Sequence, residues 1–128
     1  MNRAGFVQFI AERRALPFAW GAQDCCLTAA DALIAAGHPD FAHDLRGYTT
    51  KKGAVRALLR AGFLTVGHVL NARLQRVGRA RLGTVVMMRE PPLDVLFIAE
   101  GASQCWGQGE HGLVRVRIPA NASLWEPK

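Results

Sequence analysis

The segment Pro17-Phe18-Ala19-Trp20-Gly21-Ala22-Gln23-Asp24-Cys25-Cys26 places a thiol where a loop gives way to the apolar run 27–36. The first backbone N–H groups of a helix have no partner within the helix, so they and the helix dipole stabilise an anion such as a thiolate. Asp24 can act as the N-cap, because its carboxylate can accept a hydrogen bond from an N–H two or three residues on. We therefore predict that a helix begins at Cys25 and that Cys25 is a candidate nucleophile.

The same Asp24 opposes ionisation of the thiol, since two negative charges side by side repel each other. A reactive Cys25 or Cys26 would therefore need a neighbouring base. The alternative interpretation is structural, because free cysteine is among the most buried residue types. The segment alone leaves both interpretations open.

Length and composition favour one domain over residues 1–128, since 128 residues of 50% hydrophobic content can form one core. The apolar runs are shorter than the roughly 20 residues that span a bilayer, so no membrane span is expected. No secretory signal precedes the first helical pattern, which predicts folding in the cytoplasm. The three cysteines include an adjacent pair and lack zinc-finger spacing, so we expect free thiols with no metal and no cofactor.

Hydrophobic periodicity predicts helices in the first part of the chain and strands in the second. The predicted helices cover about 3–15, 25–37, 51–62 after a Thr50 cap, and 66–74 after Thr65. The predicted strands cover 84–88, 94–99, 102–106 and 113–118. Helices followed by a small antiparallel sheet indicate the α+β class.

Charge is unevenly distributed, because residues 45–89 contain many Lys and Arg residues and no Asp or Glu. Such a segment can face nucleic-acid phosphates, an anionic cell-wall polymer or an acidic protein. It lacks interleaved aromatic residues and any zinc-finger or RNA-binding motif, which disfavours nucleic acid. We expect partner binding by Arg56, Arg60, Arg73 and Arg76.

The motifs and their order resemble the NlpC-type, papain-like cysteine peptidases that cut peptidoglycan peptides. The likeness is closer to small NlpC-like proteins encoded among bacteriophage tail genes. It covers roughly residues 6–118 and rests on the motifs 18–26, Ala29-Ala30-Asp31, Arg46-Gly47-Tyr48, 53–58 and Gly83-Thr84-Val85-Val86. The resemblance implies a papain-like fold in which a Cys starts the central helix and a small antiparallel sheet follows.

The resemblance also implies roles for individual residues. Cys25 corresponds to the nucleophile, and Trp20 to the aromatic residue of the cleft. The histidine that serves as general base falls at Asp94, and the third polar residue falls near Gln104 or Trp106. Thr84 stands where the preceding strand usually carries Asp. The chain therefore lacks an imidazole at the position of the base.

The four histidines of the chain do not replace that base readily. His111 lies in a Gly-rich turn, and His68 belongs to a basic helix. His38 and His43 follow the second helix, roughly 18 Å from its start at 1.5 Å per residue. An aspartate such as Asp94 is also a poor substitute, because carboxylates in general are too weak as bases to hold a thiol proton.

These observations predict a structural component of a phage or prophage tail tip or baseplate, built on a catalytically degenerate NlpC-like fold. We expect it in the tail of the virion, assembled in the bacterial cytoplasm with other tail or baseplate proteins. One alternative is an active cysteine endopeptidase that uses Cys25 with a displaced base and cleaves peptidoglycan during phage entry. A second alternative is a basic nucleic-acid-binding protein.

Overall fold

Capping residues set the helix boundaries in the computed structural model, which describes residues 2–90 and 93–128. The described residues form four helices: α1 (Arg3–Arg13), α2 (Cys25–Ala35), α3 (Lys51–Arg60) and α4 (Val66–Arg73). Each begins after a side chain that accepts a hydrogen bond from the first turn, contributed by Asn2, Asp24, Thr50 and Thr65. The predicted starts at Cys25 and after Thr50 and Thr65 are confirmed.

A six-stranded antiparallel sheet follows the helices, which confirms the α+β class. The strands are β1 (Leu74–Arg76), β2 (Val85–Glu90), β3 (Leu93–Ala99), β4 (Gln104–Gln108), β5 (Leu113–Arg117) and β6 (Ser123–Pro127). Their order across the sheet is β1-β6-β2-β3-β4-β5. The four predicted strands correspond to β2, β3, β4 and β5, with the third displaced by about two residues.

The sequence analysis missed β1 and β6, which pair with each other at one side of the sheet. β1 has three residues, too few to show alternation. β6 pairs with β2 on its other side, so the last strand of the chain lies between two earlier ones. That position follows from pairing across the chain, which local periodicity does not report.

The core lies between one face of the sheet and the helices. α2 packs against β3, β4 and α1, and seven of its eleven residues are buried. Leu96 and Ile98 alternate with Phe97 and Ala99 along β3, so the first pair joins the helix-facing core and the second pair contacts a smaller apolar cluster. The start of α2 is thereby held against the middle of the sheet. No helix in the described part of the chain is long and apolar enough to cross a membrane.

The buried indole of Trp125 gives a direct test of the contribution of β6. Trp125 is 1% exposed, and its Nε1 donates a hydrogen bond to Asn71 Oδ1 at 3.0 Å. Trp125→Ala should lower the free energy of unfolding by about 3–5 kcal/mol, because it leaves a large cavity and an unpaired amide. Urea unfolding followed by circular dichroism measures the change. Trp20→Ala, at a partly exposed indole, is the control and should cost less than about 1 kcal/mol; equal losses would contradict the assigned role of β6.

Candidate active site at the start of helix α2

The carboxylate of Asp24 organises the start of α2. It is 2% exposed and accepts three hydrogen bonds: from Leu27 N at 2.9 Å, from Gly21 N at 3.0 Å and from the Tyr48 hydroxyl at 2.5 Å. The predicted N-cap is confirmed, and the same group also fixes the preceding loop and Tyr48. Burial and the hydrogen bond to Asp24 raise the pKa of Tyr48, so the phenol remains a donor at neutral pH.

Gly21 allows the loop to pass beneath Tyr48. Its φ is +82°, and a Cβ atom at this position would lie 1.8 Å from the backbone oxygen of Tyr48. A larger residue would meet both a strained backbone and a clash with main-chain atoms. The loop geometry that places Asp24 therefore depends on glycine at this position.

The Cys25 thiol is partly buried beside the middle of β3. Burial raises its pKa above the ordinary value, a backbone hydrogen bond from Leu96 lowers it, and the Asp24 carboxylate raises it again. The net shift is upward, so the helix-start position does not produce a thiolate. Cys26 is buried in the core, and burial raises its pKa as well. All three thiols, including that of Cys105 in the smaller cluster, are free.

The groups that shift the Cys25 pKa most do not include a histidine. The side chain of His111 is 91% exposed in the turn between β4 and β5, with Glu110 Oε2 at 3.9 Å from its Nε2. His43 and His68 are exposed. His38 lines a separate pocket of about 420 Å³ beyond the far end of α2, together with Arg3 and Arg81. The structure thus pairs Cys25 with a backbone amide.

Asp94 and Gln104 do not come together. Asp94 is exposed near the start of β3, opposite Arg89 of β2. Gln104 lies beside Glu100, just past the other end of β3, where its carbonyl accepts a hydrogen bond from Glu100 N at 3.0 Å. Six residues of strand, about 20 Å at roughly 3.3 Å each, separate Asp94 from Glu100. β4 begins at Gln104, ten residues after Asp94, and runs antiparallel to β3. Gln104 therefore lies at the end of β3 that is farther from Asp94.

Gln108 is the polar residue that β4 places beside α2, and the sequence analysis did not identify it. β3 and β4 are antiparallel, and Phe97 of β3 lies opposite Gly107 of β4. The same register places the preceding residue of β3, Leu96, opposite the following residue of β4, Gln108. Thr28 Oγ1 donates to Gln108 Oε1 at 3.2 Å, and Gln108 Nε2 donates to the carbonyl of Leu16 at 2.9 Å. Gln108 thereby joins α2, β4 and the loop after α1. Finding it requires the strand register, which the sequence does not provide.

Trp20 lies on the loop that leads to Cys25. Its ring packs edge-to-face on Phe18, with 5.0 Å between centroids, and both rings are more than one third exposed. Phe18 N donates to the carbonyl of Glu110 at 3.0 Å, so the loop is attached to the turn between β4 and β5. The pair leaves a small aromatic surface near the start of α2.

Asp31, one and a half turns after Cys25, forms a second polar cluster. Arg13 Nη1 lies 3.0 Å from Asp31 Oδ2, and Arg46 Nη2 lies 2.6 Å from Asp31 Oδ1. Arg46 Nε also pairs with Asp40 at 2.8 Å. Hydrogen bonds to Asp40 and Asp31 raise the pKa of Arg46, which stays charged. The cluster ties α1 and the loop after α2 to the central helix.

Residues 2–126 match the family described as "Domain of unknown function (DUF6950)". The chain belongs to this family. No curated protein and no solved structure matches it significantly. Within residues 2–90 and 93–128 of this DUF6950 domain, no group of three or more His, Cys, Asp or Glu side chains could hold a metal ion.

Two of the arginines expected to bind partners also contact other groups of the DUF6950 fold. Arg73 donates to both Asp44 carboxylate oxygens at 2.7 and 2.8 Å and to the carbonyl of Phe41, and it lies over the Phe63 ring. Arg76 stacks on Trp125 at 4.9 Å. Folding brings these acidic and aromatic groups from other segments to the two arginines, and their expected contact with partners stays a prediction. Arg56 and Arg60 remain exposed on α3.

The loop geometry can be tested by substitution at Gly21. Gly21→Ala should lower the free energy of unfolding by about 3 kcal/mol or more, because the new Cβ clashes with Tyr48 and the backbone cannot relax. Gly78→Ala is the matched control: nothing lies within 4 Å of a Cβ there, and its φ is not in the left-handed region. It should change stability by less than about 0.5 kcal/mol. A similar small effect of both substitutions would contradict the proposed constraint.

The raised pKa of Cys25 predicts slow thiol chemistry at neutral pH. In a Cys26→Ala, Cys105→Ala background, iodoacetamide should modify Cys25 at least about tenfold more slowly than glutathione at pH 7.5. The rate should still rise above pH 9, because the thiolate fraction increases until pH passes the raised pKa. Mass spectrometry of the alkylated protein gives the rates. A plateau below pH 8 would show an activated thiol and refute this assignment.

Proposed function

We propose that this protein is a structural component of a bacteriophage or prophage tail tip or baseplate, built on an NlpC-type scaffold that does not catalyse hydrolysis. One observation carries the proposal: the thiol at the start of the central helix has a raised pKa and a backbone amide, Leu96 N–H, in place of a base. On this proposal the chain keeps the layout of the NlpC-type scaffold, and the groups that shift the Cys25 pKa most include no proton-transfer side chain such as histidine.

The arrangement of elements supports the NlpC-type part of the proposal. A helix that begins Asp24-Cys25 packs against β3 and β4 of an antiparallel sheet, which is the layout that the sequence resemblance implies. Other matching motifs have structural roles here, since Tyr48 binds Asp24 and Arg46 binds Asp31. A scaffold can keep these contacts without keeping the reaction.

Hydrolysis of a peptide by a thiol needs a thiolate to attack the carbonyl and an acid to protonate the departing amine. Burial raises the pKa of the Cys25 thiol, so its ionised fraction at pH 7 is below the few per cent of an ordinary thiol. Asp94, which is exposed at the position where the resemblance places the histidine, provides no imidazolium to protonate the amine. Both halves of the reaction therefore lack a suitable group.

An assembly role accounts for the exposed cations of the middle section. Neighbouring tail or baseplate proteins with acidic surfaces would contact them, and assembly would take place in the host cytoplasm before the virion is released. α3, which carries Lys51, Lys52, Arg56 and Arg60, has no aromatic side chain for base stacking. This absence favours a protein partner over nucleic acid.

The second candidate is an active peptidoglycan endopeptidase, favoured by the exposed Phe18–Trp20 pair beside the Cys25 loop. Such a pair could hold a peptide substrate near the thiol. The cleft would then have to recruit a base, such as His111, by moving the turn between β4 and β5. The raised pKa of the Cys25 thiol argues against this candidate.

Peptidoglycan digestion separates the two candidates. Purified protein incubated with peptidoglycan sacculi should release no soluble peptides above the level of buffer, measured by chromatography and mass spectrometry. The Cys25→Ala variant should likewise release no soluble peptides, and it should still be incorporated into virions. Peptide release that Cys25→Ala abolishes and Cys105→Ala retains would overturn the structural proposal in favour of the enzyme.

A further inference from the structure

α3 presents a second face that the fold does not use. Its inner side buries Ala57 and partly covers Ala54 and Leu58. Val55 and Leu59, four residues apart, point outward and are 49% and 54% exposed. One helical turn is 3.6 residues, so residues at this spacing form a continuous row along the helix surface.

A row of cations runs beside the apolar row. Lys52, Arg56 and Arg60 are spaced four residues apart, and all three are exposed. Successive members are separated by about 6 Å along the helix axis at 1.5 Å per residue. We call these five residues, Lys52, Val55, Arg56, Leu59 and Arg60, the α3 face.

The cations of α3 form no ion pairs with other described residues that would stabilise the isolated protein. Among the described residues, none of Lys51, Lys52, Arg56 and Arg60 forms an ion pair. Lys51 and Lys52 occupy the first turn, where the helix dipole disfavours positive charge. The two lysines therefore cost folding stability, whereas Arg60 in the last turn complements the helix dipole. The regular spacing of the row is not explained by contacts within the fold.

We infer that the α3 face binds an acidic amphipathic helix of another protein. Two apolar side chains of the partner, four residues apart, would cover Val55 and Leu59. Carboxylates in an adjacent row with the same spacing would meet Lys52, Arg56 and Arg60, which gives the charge complementarity that fixes register and orientation. Helices packed in this way lie about 8–10 Å apart.

The charge and composition of the α3 face favour an acidic helix over a second copy of the chain, a membrane or nucleic acid. A second copy of the chain would place like charges opposite each other, which is unfavourable. Two aliphatic side chains without an aromatic anchor are a weak basis for membrane binding, and nucleic acid would leave Val55 and Leu59 uncovered. The inference rests on the partner contact in the proposed function and specifies the kind of surface that α3 would bind. Its test depends on α3 alone, so its outcome is separate from the question of whether Cys25 is catalytic.

The probe for the experiment is a synthetic helical peptide with Leu at two positions four apart and Glu in an adjacent row spaced by four. A peptide of the same composition in scrambled order is its control. Fluorescence anisotropy with the full-length protein should show binding of the ordered peptide only. Affinity should fall as salt rises, since the Debye length shortens from about 10 Å at 0.1 M to about 3 Å at 1 M.

Lys52→Glu separates binding from folding. It places an anion at the helix start and four residues before Arg56, so the midpoint of thermal unfolding should rise by about 2 °C. Peptide affinity should nevertheless fall by about tenfold, which corresponds to about 1.4 kcal/mol. A loss of binding by a more stable variant cannot be explained by unfolding. Leu59→Gln should weaken binding to a comparable extent.

Arg117→Glu is the matched control, since it makes the same change of charge at an exposed residue of β5. It should alter peptide affinity by less than about threefold, through the net charge alone. Val7→Gln is the corresponding control for an exposed aliphatic residue on α1. Equal losses in Lys52→Glu and Arg117→Glu would overturn the inference, as would equal binding of the scrambled peptide. Tighter binding to phosphatidylserine vesicles or to duplex DNA than to the peptide would also overturn it.

Discussion

The buried carboxylate of Asp24 is the interaction on which the arrangement of the protein depends. It accepts hydrogen bonds from the Leu27 amide in the first turn of α2, from the Gly21 amide in the loop before the helix and from the Tyr48 hydroxyl 24 residues on, so these three groups meet at one anion. Hydrogen bonds to a charged group are stronger than those between neutral groups, and a buried carboxylate must keep its donors to remain charged. Gly21 and the backbone of Tyr48 can approach so closely because glycine has no Cβ, and the carboxylate holds both segments in place. The position of Cys25 is a consequence of this contact.

The same contact limits what Cys25 can do. A carboxylate that caps the helix cancels part of the positive potential that would favour a thiolate at the next residue. Burial against β3 adds to the effect, and the amide of Leu96 compensates for it only in part. An enzyme with this geometry would need an imidazolium beside the sulfur to restore the balance. Without that cation, the features that make the helix start stable make its thiol unreactive.

Local signals predicted the helices well, and long-range pairing explains what they missed. Asp24, Thr50 and Thr65 are caps that act within three residues, so the sequence near each one is sufficient. The placement of β6 between β1 and β2, and of Gln108 beside α2, depends on strand register between distant segments. Charge shows the same limit: residues 45–89 lack acids in sequence, but Asp44 reaches Arg73 and Glu126 reaches Arg81 in the folded chain.

These ion pairs distinguish the positive charges that stabilise the fold from those that do not. Arg13, Arg46, Arg73, Arg81 and Arg115 each meet a carboxylate, and so they serve the fold. The cations of α3 also contribute to the net charge of +6, but they meet no carboxylate among the described residues. A merely solvated helix would gain from acids in its first turn and from alternating charges along its surface. α3 has neither, and it keeps Val55 and Leu59 exposed beside its cations. That combination is costly in water and favourable against an acidic, apolar surface, so the distribution of charge and exposure points to contact with a partner.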